Sequence, residues 1–175
     1  MDPLRAIAGR KVLVTGGTGT LGGAFVARAR EAGAQVSAPT RAGGFDLRDR
    51  AKVEAELWAF QPELVFHFAA AGVSQALSEA ELSAINVGGL GNLLTAAAGL
   101  TRPPKCLLLG SCSEYAISDA PLTESSPLDP RNDYARSKVA AGAGAGAAAA
   151  GAPEGAMAPF MRRAAAAIWS SVPWA

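Results

Sequence analysis

The chain has 175 residues, half of them hydrophobic and 18% charged, with a formal net charge of +1. That length suffices for one domain burying roughly 70% of its unfolded surface, and the balance of apolar to charged residues excludes a disordered chain. The near-zero net charge gives no electrostatic footing for nucleic acid or an anionic membrane, and no basic stripe with interleaved aromatics occurs.

The start, Met1-Asp2-Pro3-Leu4-Arg5, lacks the basic and apolar regions of a signal peptide. No stretch reaches the ~20 apolar residues, unbroken by Gly or Pro, that a membrane span requires. A cytoplasmic location is expected, with no membrane or nucleic-acid partner. The two cysteines, Cys106 and Cys112, are expected to be reduced.

Lys11 to Thr15 reads as a buried first strand, short, apolar and stopped by glycine. Thr15-Gly16-Gly17-Thr18-Gly19-Thr20-Leu21-Gly22 follows, and Leu21 to Ala32 then reads as a helix with Leu21, Phe25, Val26 and Ala29 on one face. Strand, glycine turn and helix in that order build a phosphate site in α/β folds. Gly16 would permit the sharp turn, Gly19 the close approach of backbone N–H groups to a pyrophosphate, and Gly22 tight packing of helix on strand. The spacing is G-x-x-G-x-x-G, distinct from the G-x-G-x-x-G dinucleotide fingerprint.

Gln35 to Ala38 reads as a second strand, residues 49–59 as a helix, and Leu64 to Phe68 as a third strand. A glycine-interrupted helix covers about 78–99, and Cys106 to Leu109 forms the next strand. Alternating strands and helices imply a doubly wound α/β fold with a parallel sheet covered on both faces. Its ligand is expected at the carboxyl ends of the strands, where Thr15–Gly16, His67–Ala70 and Gly110–Ser113 converge.

The position about twenty residues past the glycine turn, where an acidic residue reads the ribose of NAD, holds Ala38, Pro39, Thr40 and Arg41. Arg41 would suit a 2′-phosphate, a lean toward NADP. Asp46-Leu47 offers either an adenine-contacting carboxylate or a cap for the next helix. His67, the lone histidine, reads as a satisfied structural residue, and no metal-ligand cluster is expected. Asn86 and Asn92 sit inside the long helix, where asparagine is unfavourable unless it bonds across to a neighbour; Asn92 is expected at the surface. Tyr134 and Lys138, four apart, share one helix face. An ammonium close to a phenol favours the phenolate, the general basis of acid–base chemistry by such a pair.

Assembled, these residues resemble the extended short-chain dehydrogenase/reductase family in its nucleotide-sugar epimerase/dehydratase branch. The glycine turn is similar to that branch's T-G-x-x-G-x-x-G loop and Asp46-Leu47 to its adenine-contacting pair. His67-Phe68-Ala69-Ala70 resembles its H-x-A-A strand end, Asn86 its helix asparagine, and Tyr134…Lys138 its catalytic pair. The resemblance runs from about Lys11 to Ala140. It implies a Rossmann-type domain over residues 1–140 that binds NAD(P), leaning NADP, through Thr15, Gly16, Gly19, Thr20, Leu21, Gly22, Arg41, Asp46, Leu47, Ala69, Ala70, Asn86, Tyr134 and Lys138. It further implies hydride transfer on a nucleotide sugar, with Tyr134 as acid/base, Ser111 orienting the substrate oxygen and Lys138 holding the nicotinamide ribose. Ser111 lies four residues before Tyr115. The segment between departs from the family's V-Y-G pattern, reading Ser113-Glu114-Tyr115-Ala116, so Ser113 is a second candidate. The resemblance also implies a homodimer paired through the helices that here carry Asn86 and Tyr134, as family members commonly form.

After Lys138 the composition changes to an Ala/Gly-rich tail over 141–175, read as a helical extension or as disordered chain, and the expectation is a chain lacking the family's usual C-terminal substrate domain. This composition jump gives the expectation of a truncated or frame-shifted product. An enzyme, a catalytically silent NAD(P)-binding module and a purely structural protein are the three readings left open.

Overall fold

A computed structural model describes residues 3–72, 76–123 and 125–150, with side chains described for 4–72, 76–123 and 125–146. Four strands form one parallel sheet: β1 (Lys11–Thr15), β2 (Gln35–Ser37), β3 (Leu64–His67) and β4 (Lys105–Leu108), in the order β2-β1-β3-β4. Strand β1 starts and stops where the apolar run does. Val12 is level with Val36 on one side and with Leu64 on the other.

Residues along the strands alternate between two packed layers. Val12 and Val14 face one layer with Val26 and Ala29 of helix α1 (Thr20–Glu31), where Phe25, Phe66 and Phe68 pack ring against ring. Leu13, Val65 and Cys106 face the other. There they meet Val53 and Leu57 of α2 (Arg50–Phe60) and Leu90, Leu93 and Leu94 of α4 (Gly89–Ala98). A sheet clothed on both faces needs continuous apolar strands, which explains why these strands lack polar alternation. The doubly wound Rossmann-type expectation therefore holds.

The long helix is composite. A capping box at Ser78 and Glu81 starts α3 (Glu79–Ser83), a π-helical segment spans Ala84–Gly88, and α4 continues from it. Such π turns recur at functional sites, and this one carries Asn86. Helix α5 (Asp133–Ala150) continues beyond Ala140, with Ala141 and Ala145 buried in the second layer. The rest of the expected tail, from residue 151, lies outside the described residues.

Two surface details, at Leu21 and Asn92, differ from the sequence reading, and Trp58 adds a third contrast. Leu21 is 49% exposed, because the buried face of α1 runs through Gly22, Val26 and Ala29. Trp58 is likewise exposed while its neighbour Leu57 is fully buried. Asn92 is half-buried, donating to the Leu47 carbonyl at 2.9 Å and tying α4 to the loop after β2. No helix among the described residues is long and apolar enough to cross a membrane.

The contrast at the end of α2 is measurable. Leu57→Ala should cost about 2–5 kcal/mol in urea denaturation, as for other fully buried leucines, and Trp58→Ala less than about 1 kcal/mol. Equal losses would contradict this packing.

Candidate active site

The chain crosses from β2 over β1 to β3, so strand order reverses between β1 and β3. The carboxyl ends of those two strands are where a doubly wound sheet opens a crevice. Gly16 leaves β1 with φ +73, and a Cβ there would lie 2.6 Å from the Ala69 backbone nitrogen. A Cβ on Gly22 would overlap the Gly16 carbonyl oxygen. Both glycines thus bring backbone onto backbone where no side chain fits. Gly19 caps α1 without a side-chain hydrogen bond, and the first i→i−4 bond of the helix runs from the Gly23 N–H to the Gly19 carbonyl at 2.7 Å. The N–H groups of Thr20, Leu21 and Gly22 precede that bond, at the positive end of the helix dipole.

A cavity of about 510 Å³ opens beside this turn. It is lined by Thr15, Gly16 and Gly19, by Arg41, Asp46 and Leu47, and by Ala69 and Ala70. Asp46 is not a helix cap; Asp49 fills that role, accepting from the Lys52 N–H. The Asp46 carboxylate is gripped instead by Arg48, whose Nη2 donates at 2.6 Å and whose backbone N–H donates at 2.9 Å. Those bonds, side chain first, pull its pKa down to about 2. Arg41 stands 3.6 Å from the same carboxylate with its side chain 75% exposed, leaving most of its guanidinium to the solvent at the cavity mouth.

A second cavity, about 180 Å³, continues past Ala69 toward α5. His67, Asn86, Gly110, Glu114 and Lys138 line it among apolar residues of β4, α4 and α5. Ala69 lines both spaces, so the two adjoin at the strand ends. Lys138 is 8% exposed and donates from Nζ to the Leu109 carbonyl at 2.7 Å. Burial lowers its pKa, and the Glu114 charge opposes that. Asn86 bridges three segments: its Oδ1 accepts from the Ala71 N–H at 2.8 Å, and its Nδ2 donates to the Ala71 carbonyl and to Ser137 Oγ at 2.9 Å. His67 pairs its Nδ1 with Thr15 Oγ1 at 2.7 Å, linking β3 to β1. Burial first, then the Lys138 charge, pushes its pKa down to about 3, so the ring is neutral at physiological pH.

Ser111 and Tyr134 are half-buried and lie outside the lining of the Lys138 cavity. Ser111 Oγ accepts from the Ser113 N–H at 3.2 Å, and among the described residues no hydrogen bond joins the side chains of Ser111, Tyr134 and Lys138. Thr20 and Leu21 have exposed side chains, so only their backbone is placed to meet a ligand. The sequence reading gave no role to Arg48 or Ser137, and named Glu114 only as part of the segment after Ser111. Glu114 alone carried a local signal, the S-x-x-E capping-box spacing from Ser111. Cys106 is buried, with its thiol pushed up to about 12, and Cys112 is exposed; both are free. Among the described residues no group of three or more His, Cys, Asp or Glu side chains is placed to hold a metal ion.

The family model described as "NAD dependent epimerase/dehydratase family" matches residues 12–152. The chain belongs to this family. A curated relative from Kitasatospora kifunensis, dTDP-6-deoxy-L-talose 4-dehydrogenase (NAD(P)(+)), is 31% identical over 145 residues, covering 75% of this chain and 45% of that protein. Among solved structures, UDP-glucose 4-epimerase from Brucella ovis in complex with NAD superposes with TM-score 0.72 at 26% identity, over 81% of this chain and 48% of that one. The Bordetella bronchiseptica enzyme WbmG in complex with NAD gives 0.67 at 26%, over 82% and 50%. The chain therefore spans about half the length of the relatives it matches.

The neutral His67 sets a pH dependence. Its folded pKa of about 3 lies below the ordinary 6.5. The unfolded chain therefore binds the extra proton between those values, and stability is full above 6.5 and falls as pH drops toward 3, by about 1.4 kcal/mol per unit at most. Asp46 acts in the same direction lower down, its contribution lost as pH falls from 3.8 through about 2. In NMR the lone histidine resonance should not titrate between pH 8 and 5, and His67→Gln should flatten the loss of stability below pH 6.5. A midpoint near 6.5 in the folded protein would show that the ring is not held as described.

Proposed function

We propose that this chain binds NAD(P)(H) along the crevice and serves hydride transfer on a nucleotide sugar. The observation that carries the reading is a pair of cavities that share Ala69, one beside the uncapped helix start at the glycine turn and the other lined by the buried Lys138. A dinucleotide needs both ends, with N–H donors for its pyrophosphate and a polar anchor for the far ribose. Thr15, Gly16 and Gly19, with the N–H groups of Thr20, Leu21 and Gly22, would hold the diphosphate. Leu47 and Asp46 would hold the adenine, and Ala69, Ala70, Asn86 and Lys138 the nicotinamide side. The cofactor supplies the hydride acceptor and donor. Tyr134 takes and returns the substrate hydroxyl proton, and Ser111 orients the same oxygen. The curated relative's name carries NAD(P)(+) and a dTDP-sugar, which supports this reading of cofactor and substrate class. In the same reading, residues 1–140 form the cofactor-binding unit, and two copies pair through the helices carrying Asn86 and Tyr134.

NADP is favoured over NAD. Asp46, the carboxylate on the cavity wall, is already neutralised by Arg48, and Arg41 projects at the mouth where a 2′-phosphate would lie. The second reading, a binding module without turnover, draws on the half-length match and on the separation of Ser111 and Tyr134 from the Lys138 cavity.

Fluorescence titration should show saturable binding of NADPH, tighter than NADH. Arg41→Ala should weaken NADPH by roughly five- to tenfold while leaving NADH nearly unchanged, the exposed site limiting the effect. Binding of neither dinucleotide would overturn the reading. Turnover on a panel of nucleotide sugars then separates enzyme from module. Where turnover is found, Tyr134→Phe should lower kcat by about 10²-fold or more, and an unchanged kcat would reject Tyr134 as the acid/base.

A further inference from the structure

Glu114 stands where the family resemblance calls for the apolar residue before Tyr115. It is 2% exposed and among the largest fully buried side chains of the molecule. A buried carboxylate costs several kcal/mol unless hydrogen bonds and a counter-charge offset it, so its setting is informative. Its Oε1 accepts the Ser111 N–H at 2.7 Å, closing the 3-10 turn Cys112–Glu114 that Ser111 caps. It also shares the cavity wall with Lys138, which is itself buried. We propose that Glu114 is a positioning residue that fixes the Ser111 turn and supplies the counter-charge to the Lys138 ammonium. The catalytic meaning rests on the NAD(P) reading above; the pairing itself does not.

The groups around Lys138 make Glu114 the carboxylate that matters. β3 contributes His67, which burial keeps neutral, and the segment after β4 contributes the Leu109 carbonyl. The π segment contributes Asn86, which is not titratable, and α4 contributes Leu90. From α3, Glu81 is bonded to Ser78, and Glu79 lies 3.7 Å from Arg136. On α5 itself Asp133 pairs with Arg136, and Tyr134 lies one turn before Lys138. Glu114 is the group whose charge favours the Lys138 ammonium against its burial. One side chain thus links two candidate catalytic residues that no direct hydrogen bond connects.

The test reads the ionisation of Lys138 in the full chain without cofactor, by trace acetylation with acetic anhydride across a pH series and mass spectrometry of the Lys138 peptide. Glu114→Gln keeps an acceptor for the Ser111 N–H and removes the charge. The Lys138 midpoint should fall by about one unit, a tenfold shift toward the amine, while Glu114→Asp should restore most of it. An unchanged midpoint in Glu114→Gln overturns the proposal. If Glu114→Gln alone does not fold, the double variant Glu114→Gln/Lys138→Met should regain the fold because the uncompensated cation is gone, and a double variant that stays unfolded overturns it as well. Loss of dinucleotide binding in the wild type, with the Lys138 midpoint still dependent on Glu114, would reject the NAD(P) reading and leave this pairing standing.

Discussion

The glycine turn is a steric constraint before it is a binding loop. Gly16 lies against the Ala69 backbone and Gly22 against the Gly16 carbonyl, so the ends of β1 and β3 and the first turn of α1 meet with no side chain between them. That contact decides where α1 begins, and therefore where its unpaired N–H groups point. It also places Ala69 on the lining of both cavities, where they adjoin. A methyl group at either glycine would push helix or strand end outward. Positive φ at Gly16 adds a backbone penalty that any other residue would carry.

Around that contact the walls are tied together by buried and partly buried side-chain hydrogen bonds. Thr15 to His67, Asn86 to Ala71 and Ser137, Asn92 to Leu47, and Lys138 to Leu109 each tie a strand end or loop to a neighbouring element. Each bond is worth about 1 kcal/mol net, but a partner left unpaired in the interior costs more than the bond contributes. Such ties therefore select one arrangement of the crevice more than they stabilise the fold. They also divide it electrostatically. At the glycine end the charges are exposed and screened, with Arg48 occupied by Asp46. At the far end Lys138 and Glu114 are out of water, where a single charge has larger effects on its neighbours.

Strand β1 was legible to the residue because glycine ends the apolar run where the strand ends, and the parallel sheet followed from strands that are apolar on both faces. Side-chain orientation was less legible. Leu57 and Trp58 are equally apolar in the sequence, yet adjacent helix positions point 100° apart and only one reaches the core. Leu21 failed for the same reason. Asn86 was singled out as out of place in a helix, but its partners, the Ala71 backbone and Ser137 of α5, lie far away in sequence, where no local pattern points. The glycines and alanines after Lys138 read as low complexity, although Ala141 and Ala145, four apart, are core residues chosen for small size. In the site, Tyr134 and Lys138 were recognisable by spacing, whereas Arg48 and Ser137 act through loop and interhelix contacts without a signature.

The two halves of the site differ in how completely this chain builds them. On the dinucleotide reading, the groups that grip the cofactor are backbone N–H donors, glycine contacts and a lysine already held by Leu109 in the cavity that Glu114 also lines. Their geometry is fixed by the core, so affinity needs little beyond the described residues. Substrate chemistry asks for more. Ser111 Oγ is engaged by the Ser113 N–H, and Tyr134 lies outside the lining of the Lys138 cavity. Rate enhancement through such residues depends on holding the reacting atoms within fractions of an ångström; buried Glu114 holds the Ser111 backbone, whereas the Tyr134 side chain makes no hydrogen bond to Ser111 or Lys138 among the described residues. Cofactor affinity and catalytic rate thus rest on different parts of the molecule, the first on buried backbone contacts and the second on whatever fixes two half-buried side chains against a sugar.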